Sequence, residues 1–320
     1  MSDRLRMAVV GVGTFGRQHA RVLAGLAGVE LTAVYDSDPA RAEQAAREFG
    51  CAVARSWDEV AQRADAATIA VPTSAHAEAG TELVERGLDV LVEKPLAPDL
   101  AAADRLIEAA AAHGRILQVG HLERFNPAVE AAFEAARLPL FFEAHRLSVF
   151  SPRSLDVDVV LDLMIHDLDI VLAMTASPLE RIEAAGIPIL SSRADIASVR
   201  LVFENGCIAN LTASRVSTEK VRKLRYFQPR QYVSIDYARQ DGVAIGVDDQ
   251  NRLQFRPLKT EKAEPLERQL AAFVECVRTR GTPRVDGAAA RRALEAALRI
   301  RAEMERHARV VEATVARFHS

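Results

Sequence analysis

Asp162 and His166 stand four residues apart in the run Asp156-Val-Asp-Val-Val-Leu-Asp162-Leu-Met-Ile-His166-Asp167-Leu-Asp169. On a helix that spacing puts a carboxylate and an imidazole one above the other on one face. An imidazole with its second nitrogen engaged by a carboxylate can take a proton from an alcohol near neutral pH. A hydrogen-bonded core histidine beside its carboxylate is the plainer alternative, and the pair alone does not separate the two. Leu161, Ile165, Leu168 and Leu172 make an adjoining apolar stripe, which puts the pair at the edge of a buried surface with Asp167 turned away. Lys94, in Glu93-Lys94-Pro95, is the second candidate: its ammonium could polarise an oxygen, or it could be a solvated lysine. Arg124 and Asn126, in Gly120-His-Leu-Glu-Arg124-Phe-Asn126-Pro127, and Arg146, in Glu143-Ala-His-Arg146, could hold a substrate hydroxyl or phosphate. A structural salt bridge at a domain junction remains open for the first segment.

The setting for these groups is fixed by residues 7–36. An apolar run, Met7 to Val10, leads into Gly11-Val12-Gly13-Thr14-Phe15-Gly16, and a second apolar run ends in Asp36, 20 residues beyond Gly16. This is the pattern of a dinucleotide-binding βαβ unit. Gly11 permits the strand-to-helix turn, Gly13 lets backbone approach a pyrophosphate, and Gly16 lets helix pack on strand, while the N–H groups around Thr14 and Phe15 face the anion. Asp36 would accept from both ribose hydroxyls and repel a 2′-phosphate, which favours NAD over NADP. No neighbour is an obvious compensating cation; Arg41 is the one suspect. Pro72, Thr73 and His76 follow another apolar run, and Glu93 ends a further one. Ligands in an open α/β sheet sit beyond such strand ends, so these four join the cofactor site.

Up to Gly120 the short apolar runs Leu31–Tyr35, Ala67–Val71, Val90–Val92 and Ile116–Val119 alternate with amphipathic stretches such as Pro39–Phe49 and Ala101–His113. The rhythm predicts an α/β fold with a doubly wound parallel Rossmann sheet over residues 1–120. Beyond it, 141–150, 198–204, 207–214 and 231–237 alternate polar and apolar residues, with a hairpin turn at Glu204-Asn205-Gly206 and helical patterns at Val159–Met174 and from Glu264 to about Arg317. Residues 121–320 are therefore an α+β domain with a mainly antiparallel open sheet, its C-terminal helix able to pack back on the first domain. The two domains are expected to enclose a cleft. The basic run Lys220-Val-Arg-Lys-Leu-Arg225 reads as a solvated or subunit-facing edge.

Composition narrows the function. The chain has 320 residues, 41 Lys and Arg against 44 Asp and Glu, and a net charge of −3, which speaks against a nucleic-acid footprint. The opening residues lead directly into the first apolar run, so no signal peptide is expected, and no apolar run is long enough to be expected to span a membrane. Cys51, Cys207 and Cys276 match no metal-ligand spacing, so buried thiols in a reducing, cytoplasmic setting and no metal are expected.

The phosphate turn, the Pro72–His76 loop, Glu93-Lys94-Pro95 and Asp162-(x3)-His166, in this order from Met7 to about Glu303, resemble the Gfo/Idh/MocA family of oxidoreductases. The resemblance implies a Rossmann domain plus an α/β domain whose open sheet commonly makes subunit contacts. It implies NAD-dependent oxidation of a sugar or polyol carbon by a homodimer or homotetramer. By the same resemblance Lys94 contacts substrate and nicotinamide, His166 is the acid or base, and Asp162 helps position substrate. Many members carry Gly-Gly-Gly where this chain has Asp156-Val-Asp-Val-Val, so the backbone entering that helix is not carried over. The segments Gly120–Pro127, Glu143–Arg146 and Asp156–Asp169 are most similar to the UDP-N-acetylglucosamine 3-dehydrogenase branch, which prepares 3-amino sugars for lipopolysaccharide. A sugar or sugar-nucleotide substrate follows. An inositol or free-aldose dehydrogenase, and a non-catalytic NAD-binding regulator, are the rivals.

Overall fold

Each early apolar run is followed by an amphipathic segment that must return across the sheet to start the next run in the same direction, so the strands come out parallel. In the computed structural model, which describes residues 4–150 and 158–318, the order is β1 (Leu5–Val10), α1 (Thr14–Gly25), β2 (Val29–Tyr35), α2 (Pro39–Phe49), β3 (Ala52–Val53), α3 (Trp57–Arg63), β4 (Ala66–Ile69), α4 (His76–Glu85), β5 (Asp89–Glu93), α5 (Leu100–Ala112) and β6 (Leu117–Gly120). The strands pair as β3-β2-β1-β4-β5-β6, all parallel. Strand order reverses between β1 and β4, which opens a crevice at their carboxyl ends. Side chains stop the helices from fraying at their starts: Asp38 caps α2, Ser56 caps α3 and Asp99 caps α5.

The next stretch builds a second sheet. Asn126 caps α6 (Pro127–Ala135), and there follow β7 (Phe141–Leu147), α7 (Ile165–Thr175), β8 (Leu179–Ile187), β9 (Ile196–Phe203), β10 (Ile208–Ser214), β11 (Val221–Gln228), β12 (Gln231–Asp236), β13 (Asp241–Val247) and β14 (Leu253–Pro257). The eight strands run β14-β13-β12-β11-β7-β10-β9-β8 and are antiparallel except where β7 meets β10. The expected hairpin joins β9 to β10, with Gly206 at φ +84 donating its N–H to Phe203 O at 2.9 Å. One face of the sheet is buried with α6 and α7 in a cluster that includes Phe142, Leu168, Leu211 and Tyr226.

Three expectations change. The basic run Lys220–Arg225 is no edge: most of it lies in β11, between β7 and β12, with Leu224 1% exposed. Of the three cysteines, all free, only Cys207 is buried; burial nevertheless pushes the Cys51 thiol up to about 11. The third concerns the domain boundary. The chain divides into one unit running to Phe125 together with Ala263–Arg291, and another comprising Asn126–Lys262 with the chain from Arg292 on. The division falls after Phe125, a few residues beyond Gly120, and Ala263–Arg291, in the C-terminal helical stretch for which packing on the first domain was left open, belongs to the first unit. The returning piece holds α8 (Pro265–Thr279) and the start of α9 (Gly287–Phe318). Leu266, Leu270, Phe273, Val274 and Val277 of α8 share a buried cluster with Met7, Leu23 and Leu31.

Candidate active site

An opening of about 410 Å³ lies at the carboxyl ends of β1, β2 and β4 and is lined by Gly11, Gly13, Asp36 and Pro72 among others. Gly11 sits at φ +82, where an added Cβ would come within 2.8 Å of the Ala70 backbone. At Gly16 a Cβ would lie 1.7 Å from Gly11 O, so the first turn of α1 can follow β1 only if this residue is glycine. A Cβ on Gly13 would meet nothing within 4 Å, and no side chain caps α1 there. Open space above uncapped N–H groups fits a pyrophosphate. Thr14 and Phe15 begin that helix, both exposed, with the Phe15 ring edge-on to the buried His19 ring at 5.0 Å. Tyr35 and Trp57, whose rings pack at 4.6 Å, also line the opening, as do Val71, Ala75 and Glu78. Sequence reasoning passed over these wall residues because no motif marks them.

The Asp36 carboxylate is held in place by backbone: Val12 N–H donates to Oδ2 at 2.8 Å and Asp38 N–H to Oδ1 at 2.9 Å. The expectation that no cation neighbours it needs correction, because Arg41 Nη1 stands 3.4 Å from Asp36 Oδ1 and its other nitrogen 3.5 Å from Asp38 Oδ2. One cation among two carboxylates leaves the corner net negative. The Asp36 side chain is 5% exposed while Arg41 is 48% exposed, so the acid is the fixed charge and the arginine the screened one. NAD is accordingly expected to bind about tenfold or more tighter than NADP, and Arg41→Ala to widen the gap. Calorimetry giving equal affinities would show that Arg41 neutralises the corner.

Lys94 follows β5 directly and is half-buried. Two of the residues grouped with the cofactor have other partners. Glu93 is buried, with Oε1 3.2 Å from His19 Nε2, Oε2 accepting from Lys94 N–H at 3.3 Å, and Gly120 so close that a Cβ there would come within 2.4 Å of Oε1. His76 is 1% exposed, its Nδ1 2.8 Å from Pro95 O and its Nε2 2.9 Å from Val71 O. Thr73 is half-buried in the short turn Thr73–Ala75 ahead of α4.

In the second unit the helix carrying the acid-base pair begins with an i→i+5 turn over Val160–Met164, in which Ile165 N–H reaches Val160 O, and continues as α7. Such turns recur at functional sites. Asp158 starts it, accepting from Val160 N–H at 3.0 Å and Leu161 N–H at 3.1 Å. Asp162 and His166 are both half-buried. Asp156 and the residue after it, on which the departure from Gly-Gly-Gly was noted, lie outside the described residues.

Two substrate candidates belong to the scaffold. Asn126 Oδ1 accepts from Ala128 N–H at 3.1 Å as the cap of α6, and its amide donates to Tyr237 O at 3.0 Å. Arg146, 2% exposed, grips Asp167 with Nε and Nη2 at 2.7 and 3.0 Å and lies 4.9 Å over the Tyr237 ring. Tyr237 Oη donates to the same carboxylate at 2.8 Å. Asp167 is thus turned inward, not away, because α7 is apolar on most of its circumference and is covered there too. Arg124 is half-buried in the turn Leu122–Phe125, its carbonyl accepting from Arg284 Nη1 at 2.9 Å. Among the described residues no cluster of acids, histidines and cysteines could hold a metal ion, and no helix is long and apolar enough to cross a membrane.

Comparison with known proteins adds three findings. Residues 5–121 match the profile of the Gfo/Idh/MocA oxidoreductase family with its NAD-binding Rossmann fold, and residues 128–235 match the Gfo/Idh/MocA C-terminal domain. The UDP-N-acetylglucosamine 3-dehydrogenase of Acidithiobacillus ferrooxidans is 34% identical over 310 residues, 94% of this chain and 97% of that one; its solved structure, named GnnA, superposes with a TM-score of 0.90 over 94% and 98%. The scyllo-inositol 2-dehydrogenase (NAD(+)) of Bacillus subtilis is 28% identical, covering 88% and 89%, and scyllo-inositol dehydrogenase from Lactobacillus casei with bound NAD(H) and scyllo-inositol has the same fold, with a TM-score of 0.82 at 18% identity over 95% and 98%.

Proposed function

We propose that this chain, which belongs to the Gfo/Idh/MocA family of NAD-binding oxidoreductases, oxidises the 3-hydroxyl of UDP-N-acetylglucosamine or of a related UDP-sugar. The observation that carries the reading is the likeness, over 94% of the chain, to a protein named UDP-N-acetylglucosamine 3-dehydrogenase. NAD, when bound, supplies the hydride acceptor. Gly11, Gly13 and the first-turn N–H groups of α1 hold its pyrophosphate, and Asp36 its ribose. His166 takes the hydroxyl proton with Asp162 assisting, and Lys94 donates to the same oxygen and steadies the charge that develops on it. Arg124 is left as the arginine for the diphosphate, since the Arg146 fork is filled by Asp167.

On this reading the protein works in the cytoplasm as a homodimer or homotetramer, and its product is a 3-keto sugar nucleotide ready for amination toward lipopolysaccharide. The open sheet face supports the subunit contact: Phe227 packs with Phe141 and Tyr232, and Phe255 is 65% exposed. Oxidation of an inositol is the second reading, favoured by the likeness to the Bacillus subtilis protein over 88% of the chain. NADH formation by the purified protein across UDP-sugars, free aldoses and inositols separates them, with 2-oxoglutarate added in case tightly held NAD must be recycled. UDP-N-acetylglucosamine is expected to give the highest kcat/KM. Robust turnover of an inositol, with none of any UDP-sugar, defeats the first reading and promotes the second.

A further inference from the structure

His76 looks from the sequence like a cofactor ligand, but both ring nitrogens face inward, toward Val71 O at 2.9 Å and Pro95 O at 2.8 Å. The two carbonyls belong to different loops. Val71 is part of the wall of the 410 Å³ opening, and Pro95 follows Lys94. Both loops leave the carboxyl ends of adjacent strands, β4 and β5, so a side chain on the first residue of α4 spans the gap between them. At 1% exposure the ring is closed to water, so a neutral imidazole donates to one of the two carbonyls and packs its other nitrogen against the second. On its other side the lysine segment is tied by Glu93, whose carboxylate accepts from Lys94 N–H and stands against His19 of α1. We propose that His76 is a positioning residue that locks the Lys94–Pro95 segment to the cofactor wall, so that the lysine is presented in fixed register to the bound nicotinamide. The inference rests on the reading of Lys94 as the group that holds the reacting oxygen. Burial holds the imidazole below its ordinary pKa and Lys94 adds to that, while the two carbonyls and Glu93 push the other way. In its neutral form the ring donates through one nitrogen only, and glutamine, whose amide carries two N–H groups, can imitate either bond.

The test uses the full-length chain, UDP-N-acetylglucosamine and NAD, with variants His76→Ala, His76→Gln, Lys94→Ala and the double variant His76→Ala/Lys94→Ala. His76→Ala is expected to keep NAD affinity within about threefold, to lose about tenfold or more in kcat with KM little changed, and to be partly rescued by His76→Gln. The double variant should lose no more than Lys94→Ala alone, since a residue acting through the lysine has nothing left to position. Amide hydrogen exchange, which needs no turnover, should rise in peptides covering residues 70–76 and 92–97 and stay level in the second unit. Should His76→Ala fail to fold, His76→Gln carries the test: its kcat is expected to fall only in step with faster exchange at residues 92–97, and a loss of kcat without that loosening overturns the proposal. Loss of NAD affinity in step with kcat, unchanged kcat, or additive losses in the double variant also overturn it. Near-normal turnover in Lys94→Ala fails the reading of the lysine itself, whereas an inactive Lys94→Ala beside a fully active His76→Ala fails only the inference.

Discussion

Turnover falls by about a hundredfold or more when His166 is replaced by alanine, and NAD affinity stays near the wild-type value. The first half follows from the proposed role of His166 as a positioned base, whose removal leaves the hydroxyl proton to water. The second follows from where the groups lie: Gly11, Gly13 and Asp36, which are given to the cofactor, all stand in the first unit, and His166 stands in the second. On the proposed reading Asp162→Asn should fall between that variant and wild type, because an amide keeps the shape and hydrogen-bonding reach of the carboxylate without its charge. Steady-state kinetics and calorimetry on the same preparations check both halves. A His166→Ala protein that turns over almost normally would make the pair a structural one.

Arg146→Ala is expected to cost about 3–5 kcal/mol of stability, far more than a surface arginine would. Arg146 and Asp167 are each 2% exposed, and truncation leaves a buried carboxylate that keeps the Tyr237 hydroxyl at 2.8 Å but has lost its guanidinium. Replacing both members together, as Arg146→Met with Asp167→Leu, should recover much of the loss, since no uncompensated charge then remains. Urea unfolding midpoints measure this. An Arg146→Ala protein with an unchanged midpoint and a lowered kcat/KM would return the arginine to the substrate.

The contrast between these two residues shows what local sequence can and cannot announce. The phosphate turn and Asp36 are legible because each demand is local: a strand, a turn that only glycine allows, a helix start, an acid at the next strand end. Arg146 was legible too, by a different rule. Along β7 burial alternates, and Phe142, Ala144 and Arg146 share the inner face. Its parity with Phe142 marks the guanidinium as interior, but charge invites a reading for ligands. In β11 the run of basic residues hides the same alternation, in which Leu224 and Tyr226 point inward. His76 was visible as a histidine in the right loop, yet its partners are carbonyls 5 and 19 residues away in sequence. Backbone oxygens at such distances leave no mark on side-chain type. The return of α8 to the first unit is a long-range packing choice, and an amphipathic period states that a helix has a buried face without stating what it is buried against.

That return sets an order of completion during synthesis. Domains commonly finish folding in the sequence in which the ribosome delivers them. Here the strands and the phosphate turn of the nucleotide-binding unit are made first, but Leu266, Leu270 and Phe273, which close its cluster around Met7 and Leu23, emerge only after all eight strands of the other sheet. The half of the protein that is begun first therefore stays open until the strands of the other sheet have been made, and the other half in turn waits for Ala293, Ala297 and Ile300 of α9. Until then a nascent chain carries an apolar flank that chaperones can recognise, and a messenger truncated after the first sheet encodes a product with its core left open.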